Sequence, residues 1–250
     1  MSARGIALAG LAASLLSGAR GPALAQTGLP SGCPPPPLLE VVRLAPDAAP
    51  QAPGPLPAEG AGGAPSLRFE VVAGAAGSWR FTGLPSFSAW QQQLERRTPA
   101  AGSAWLGRYR AELSYRADVD LSQARYLMAQ LVEMRPGQSA AFAEIRRLDN
   151  AAHVAAEADE NWAVYELLAG APAATFLVLT PMRSLAYEDD VPRLFLAKIR
   201  AALGDTGRAR MQELHSLAVA RAETTFLRLR PGASRPPAAW RSRDPAFWGR

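Results

Sequence analysis

The feature that most constrains this chain is the order of short apolar runs in its second half. Arg125–Met134 is branched and apolar enough for a strand, and Arg135-Pro136-Gly137-Gln138 follows as a turn. Pro at the second turn position and Gly at the third suit a type II turn. From Ser139 to about Ala158 the spacing turns helical, with Phe142, Ile145, Leu148, Ala152 and Ala156 on one face. Strands are expected at 162–168 and 175–179, helices at 191–203 and 205–221, and a last strand at 224–230. The resulting order, β-α-β-β-α-β, predicts an α+β fold of the ferredoxin-like type, an antiparallel sheet with helices on one face.

The first half echoes the second. Phe69-Glu-Val-Val-Ala-Gly74 parallels Tyr165-Glu-Leu-Leu-Ala-Gly170, and Ser86-Phe87 parallels Ser184-Leu185. Strands are expected at 38–44, 67–72 and 78–82, a helix capped by Ser86 through Trp90 and Leu94, and an extended segment from Trp105 to Tyr115. The stretch 45–65 is Pro, Gly and Ala with almost no large apolar residue and reads as a flexible loop where the second half has its first helix. The expectation is therefore two tandem βαββαβ copies, the first degenerate and lacking one helix, packed face to face into a barrel within one chain or between two. Domain bounds follow: 1–25, a Pro-rich arm at 26–37, a degenerate half at 38–120, a complete βαββαβ unit at 121–231 and a docking tail at 232–250 that carries Trp240, Phe247 and Trp248.

The leader has one early positive charge, Arg4, then an apolar run from Ile6 to Leu16, then Ala23-Leu24-Ala25. That is the pattern of a cleavable export signal, too short to span a bilayer, so the chain is expected to be periplasmic or secreted with no transmembrane span after cleavage. Cys33, the lone cysteine, rules out an intrachain disulfide and leaves lipid tethering as an alternative to a soluble state. Net charge is +5, and Lys198 is the only lysine. The arginines are scattered among acids without a basic stripe, which argues against nucleic-acid binding.

From Trp105 onward, over about 145 residues, the chain resembles uncharacterised bacterial secreted proteins of the dimeric α/β-barrel (ferredoxin-like) superfamily. The resemblance rests on Tyr109–Arg116, Met134-Arg-Pro-Gly137, Ala151-Ala-His153, Trp162-Ala-Val-Tyr165, Ala169-Gly-Ala-Pro172, Pro181–Leu185 and Asp244-Pro-Ala-Phe-Trp248. It implies a tandem-repeat member with a worn first half. The wider superfamily includes antibiotic-synthesis monooxygenases, haem-degrading enzymes, lactone isomerases and stress-response proteins, and fold alone does not choose among them.

Candidate chemistry centres on His153. Asp149 lies four residues before it on one helix face, and a carboxylate beside an imidazole orients it as in general-base histidines. Tyr165 is placed by strand alternation on the face opposite Trp162, where its hydroxyl is a polar handle for a cavity. The structural alternatives are an ion pair at a helix surface and core packing. The acidic groups Glu157, Asp159 and Glu160, and 188–190, lack metal-site spacing and read as solvated. No nucleophile elbow, zinc-protease, P-loop or dinucleotide motif is present in the sequence. The leading expectation is an exported non-catalytic barrel that binds a small apolar ligand or a protein partner, as a homodimer or an intrachain pseudo-dimer and with no cofactor. The competing one is a cofactor-independent monooxygenase or isomerase with His153 as base, Asp149 as its orienter and Tyr165 as a donor, or a haem protein with His153 as axial ligand.

Overall fold

The computed structural model describes residues 32, 34–46, 65–95 and 103–249. The leader, Cys33 and most of the 45–65 loop lie outside the described residues. Eight strands form the frame: β1 (Leu38–Leu44), β2 (Ser66–Ala73), β3 (Ser78–Leu84), β4 (Ser103–Tyr109), β5 (Tyr126–Met134), β6 (Ala163–Ala169), β7 (Thr175–Met182) and β8 (Val219–Leu229). They join edge to edge, all antiparallel, in the closed order β1-β3-β2-β8-β5-β7-β6-β4.

This corrects the fold expected from the sequence. The chain is not two ferredoxin-like βαββαβ copies but one closed eight-stranded antiparallel barrel with helices outside it. The overturning contacts are the two seams. β2 pairs with β8 through Phe69↔Leu229, and β4 pairs with β6 through Tyr109↔Tyr165. Closure satisfies backbone groups that an open sheet would leave unpaired at its edges. Both seams lie within a single chain, so the barrel needs no second copy to close.

Inside the barrel, alternation along each strand brings Leu39, Val41, Phe69, Phe81, Leu127, Tyr165, Leu177 and Leu227 into one core. Outside it, α2 (Ser139–Ala155) and the kinked α4 (Ala197–Ala218), which comes after the short α3 (Tyr187–Val191), pack on each other and over the second-half strands. Phe142 of α2 stacks on Phe176 of β7 with ring centroids 4.0 Å apart. Covered on both faces, β7 is buried at every residue. The first half carries only α1 (Phe87–Glu95), which Ser86 caps by accepting from Ala89 N–H at 3.2 Å. Under it, buried Glu40 accepts from Gln93 Nε2 at 3.0 Å. Elsewhere on that side the barrel exterior is charged. Glu70 of β2 pairs with Arg228 and Arg230, both at 2.8 Å, and among the described residues no helix covers this wall.

Two element boundaries differ from the sequence reading. Val219–Glu223 looks helical by composition yet starts β8, because nine-residue β5 pairs with it along the whole strand, from Tyr126↔Arg228 to Met134↔Val219. Tertiary pairing overrides the propensity of Ala, Arg and Glu. β7 also continues past 179 to Met182. Its ladder with β6 stops at Leu179, so Pro181 falls beyond that pairing. The 135–138 turn is as the residues require: Gln138 N–H donates to Arg135 O at 3.0 Å and Gly137 has φ +79°.

The barrel's two mouths are closed differently. At the β5 C-terminal end Arg43 follows Leu39 and Val41 inward, and its guanidinium lies 5.2 Å from the Trp79 ring and 5.3 Å from the Trp105 ring. At the opposite end, prolines 34–37 and the C-terminal segment lie across the opening. Gly32 N–H donates to Asp118 O at 2.7 Å and Tyr109 N–H to Pro37 O at 3.0 Å, so part of the Pro-rich arm is laid on the barrel. The tail contains α5 (Ala238–Arg243) and α6 (Pro245–Trp248). It is held by Trp248 Nε1 donating to Ser122 O at 3.0 Å, by the Arg125–Asp244 pair and by Arg125 stacked on Phe247 at 3.6 Å.

Candidate active site

The arm and the tail cover a cavity of about 400 Å³ inside that end of the barrel. Its floor and walls are Leu39, Leu67, Phe69, Phe81, Leu179 and Leu229, all projecting inward from strands, and its roof is prolines 34–37 with Trp240. Polar groups on the wall are few: Tyr165, Tyr126, Asn161 and Asp120. An apolar chamber with a small number of placed polar atoms is the usual form of a small-molecule site.

Each of those groups has a distinct state. The Tyr165 hydroxyl donates to Pro36 O at 3.2 Å, and burial, reinforced by neighbouring Tyr109, pushes its pKa far above the ordinary phenol value, so it stays protonated. Asp120 accepts from Ser122 N–H at 3.0 Å and pairs with Arg243 at 3.0 Å. Burial acts to raise its pKa, but the Ser122 hydrogen bonds and the Arg243 charge outweigh that and hold the carboxylate ionised. Asn161 is 4% exposed, and its side-chain oxygen has no hydrogen-bond partner. A buried acceptor without a donor is costly, and Asn161 is one of the residues that line the cavity.

His153 and Asp149 are elsewhere. They sit on α2, outside the barrel, next to Trp162 and Tyr115. Tyr165 points to the interior, so the wall of β6 separates it from the other two. The Asp149–His153 contact expected from their spacing is present, with Nδ1 3.1 Å from Oδ1 and 2.8 Å from the Asp149 carbonyl oxygen. The other ring nitrogen, Nε2, is 2.7 Å from Glu160. Arg146 completes the cluster, 3.0 Å from Asp149 and 4.4 Å above the Trp162 ring. Burial by itself would lower the His153 pKa, but hydrogen bonds to Asp149 and Glu160 raise it to about 10. The imidazolium is charged at neutral pH and both nitrogens are engaged. It has no lone pair for a substrate proton or for haem iron, so these residues do not fit an axial haem site.

Sequence reasoning reads Glu160 as solvated; in the fold it is a half-buried partner of His153. The helix ends at Glu157 with φ +52° and the chain turns back over the histidine, which no periodicity announces. Asp120 and Asn161 also carry no local signal, being polar residues among others in connecting segments. Among the described residues no group of His, Cys, Asp and Glu is placed to hold a metal ion, and no helix is long and apolar enough to cross a membrane.

No family model matches the sequence, and no curated protein matches it. Solved structures do. An anthrone oxidase-like protein is similar with a TM-score of 0.50 at 11% identity, over 77% of this chain and 91% of that one. A candidate monooxygenase from Fusobacterium nucleatum subsp. nucleatum is similar with a TM-score of 0.50 at 6% identity, over 78% of this chain and 93% of that one. At such identities the likeness is one of architecture alone: this chain shares the overall fold of these two proteins.

Proposed function

We propose that the barrel-end cavity takes up a small apolar ring compound that carries a hydrogen-bond donor. The observation that carries this reading is the cavity itself: about 400 Å³, walled by leucine, phenylalanine and proline, with Asn161, whose side-chain oxygen has no partner, among its lining residues. The aliphatic and aromatic walls supply affinity by excluding water, and Asn161 supplies orientation by accepting from the ligand. The export signal would put this uptake outside the cytoplasm.

A second reading, favoured by the two fold neighbours, makes the compound a substrate for oxygenation by dioxygen without a cofactor. In such a reaction a ring CH₂ loses its two hydrogens, one oxygen atom becomes a ring carbonyl and the other leaves as water. Among the described residues Asp120 is the only carboxylate that lines the cavity, and Ser122 and Arg243 already hold it. The wall therefore offers a weak base, which suits a substrate whose proton is already acidic, such as a phenolic tricycle of the anthrone type.

Titration with anthrone should quench the fluorescence of Trp240, which lines the cavity. Ala163→Phe, which puts a ring into the chamber, should weaken binding by more than about tenfold. Equal binding in that variant would remove the cavity as the site. Asn161→Leu should erase the preference for hydroxylated over plain ring compounds, a loss of about tenfold for one hydrogen bond. Oxygen uptake during the same titration separates turnover from binding.

A further inference from the structure

The turn Leu121–Gln123 has two sides. Leu121 and Ala124 face the apolar cavity, while Ser122 and Gln123 line a second, polar recess of about 270 Å³. Arg125, Arg183, Arg243 and Asp244 complete its lining. The three guanidiniums come from distant stretches: the entry to β5, the exit of β7, and the joint between α5 and α6.

Two of them have carboxylate partners, Arg125 with Asp244 and Arg243 with Asp120. Arg183 has none among the described residues. Its Nη2 donates to Gln123 Oε1 at 2.5 Å, and its Nε is buried without an acceptor. The three guanidiniums thus carry one positive charge beyond the carboxylates they pair with, and Arg183, which lines the recess, has an orphaned donor on its rigid planar fork. A buried N–H left without an acceptor is costly, and a guanidinium edge matches two oxygens of one anion.

We propose that this recess binds a small oxyanion, the phosphate or carboxylate group of a small molecule, with Arg183 as its primary contact and Arg125 and Arg243 setting the surrounding potential. It lies outside the apolar cavity, so its failure would leave the ring-compound reading standing.

The experiment is calorimetric titration of the full chain with inorganic phosphate and, separately, with acetate, at constant ionic strength in chloride. Saturable binding is expected, weakened by about tenfold or more in Arg183→Gln, the loss expected for a charge-assisted pair. Arg183→Lys keeps the charge but not the fork and should fall between. Arg200→Gln removes the same charge from an exposed helical position and should bind as the unmodified chain does. Each variant is first checked for an unchanged melting temperature in chloride, and Arg183→Lys stands in if Arg183→Gln unfolds. Saturation by phosphate alone assigns the source as phosphate, and competition by acetate assigns it as carboxylate. Heats that never saturate, or equal weakening in Arg183→Gln and Arg200→Gln, would overturn the proposal.

Discussion

His153→Ala should destabilise the protein by about 3 kcal/mol, the low end of the cost of breaking a buried ion pair, because the two carboxylates it leaves are half-buried. The reason is the company the imidazolium keeps. Asp149 is 3.1 Å from one ring nitrogen and Glu160 is 2.7 Å from the other, both largely covered by Trp162, Tyr115 and α2. Removing the ring strands two carboxylates against a single remaining cation, Arg146. Urea denaturation followed by far-UV circular dichroism measures the loss. Adding Asp149→Asn to the variant should recover part of it, because one uncompensated charge is then gone. A loss below about 1 kcal/mol would mean that the cluster is solvated after all.

The same residue sets a pH signature. Its pKa is about 10 in the fold against 6.5 for a free histidine. A group whose pKa is raised by folding contributes fully below its unfolded value and loses that contribution as pH climbs through the folded one. Stability should therefore decline between about pH 6.5 and pH 10, and the decline should vanish in His153→Ala. Asp149 acts in the opposite sense. Burial works to raise its pKa, but the His153 hydrogen bond and the Arg146 charge win and depress it, so its contribution is lost as pH falls below the ordinary aspartate value of 3.8.

Gly170→Ala should be at least as damaging, at about 3 kcal/mol or more, and should act on barrel closure. Gly170 follows β6 with φ +84°, and a Cβ there would lie 1.9 Å from the carbonyl oxygen of Ala104 on β4. That oxygen belongs to backbone at the β4–β6 seam, where the only relief is to move the strand. Gly137 is the control. Its φ is +79°, yet nothing lies within 4 Å of the would-be Cβ. Gly137→Ala should therefore cost only the left-handed strain, about 1–2 kcal/mol. Similar losses in the two variants, by thermal or urea melting, would show that conformation and not the seam demands glycine at 170.

What the sequence makes legible follows from what is local. The strands β1, β5 and β6, the helix α2 and its partner pair Asp149–His153 are all written in spacings of two, three or four residues. Closure is not. Whether Phe69 meets Leu229 or a solvent-exposed edge depends on strands separated by most of the chain, and no periodicity encodes it. The start of β8 fails for the same reason, since β5 and not Val219–Glu223 decides its conformation. The cavity is hardest of all. Tyr165 is recognisable from strand alternation, but Asn161, Asp120 and Trp240 reach the chamber from connections and the tail, and only the assembled barrel brings them together.

Arg43, Trp79 and Trp105 fill one end of the barrel, and the chamber lies toward the other. A guest held off by that plug would enter and leave by one route, beneath prolines 34–37 and Trp240. Residence time is then governed by how often those two chain segments lift, and affinity by the walls below them. Loosening the tail anchor, for instance at Trp248, would speed both arrival and escape while leaving their ratio almost untouched.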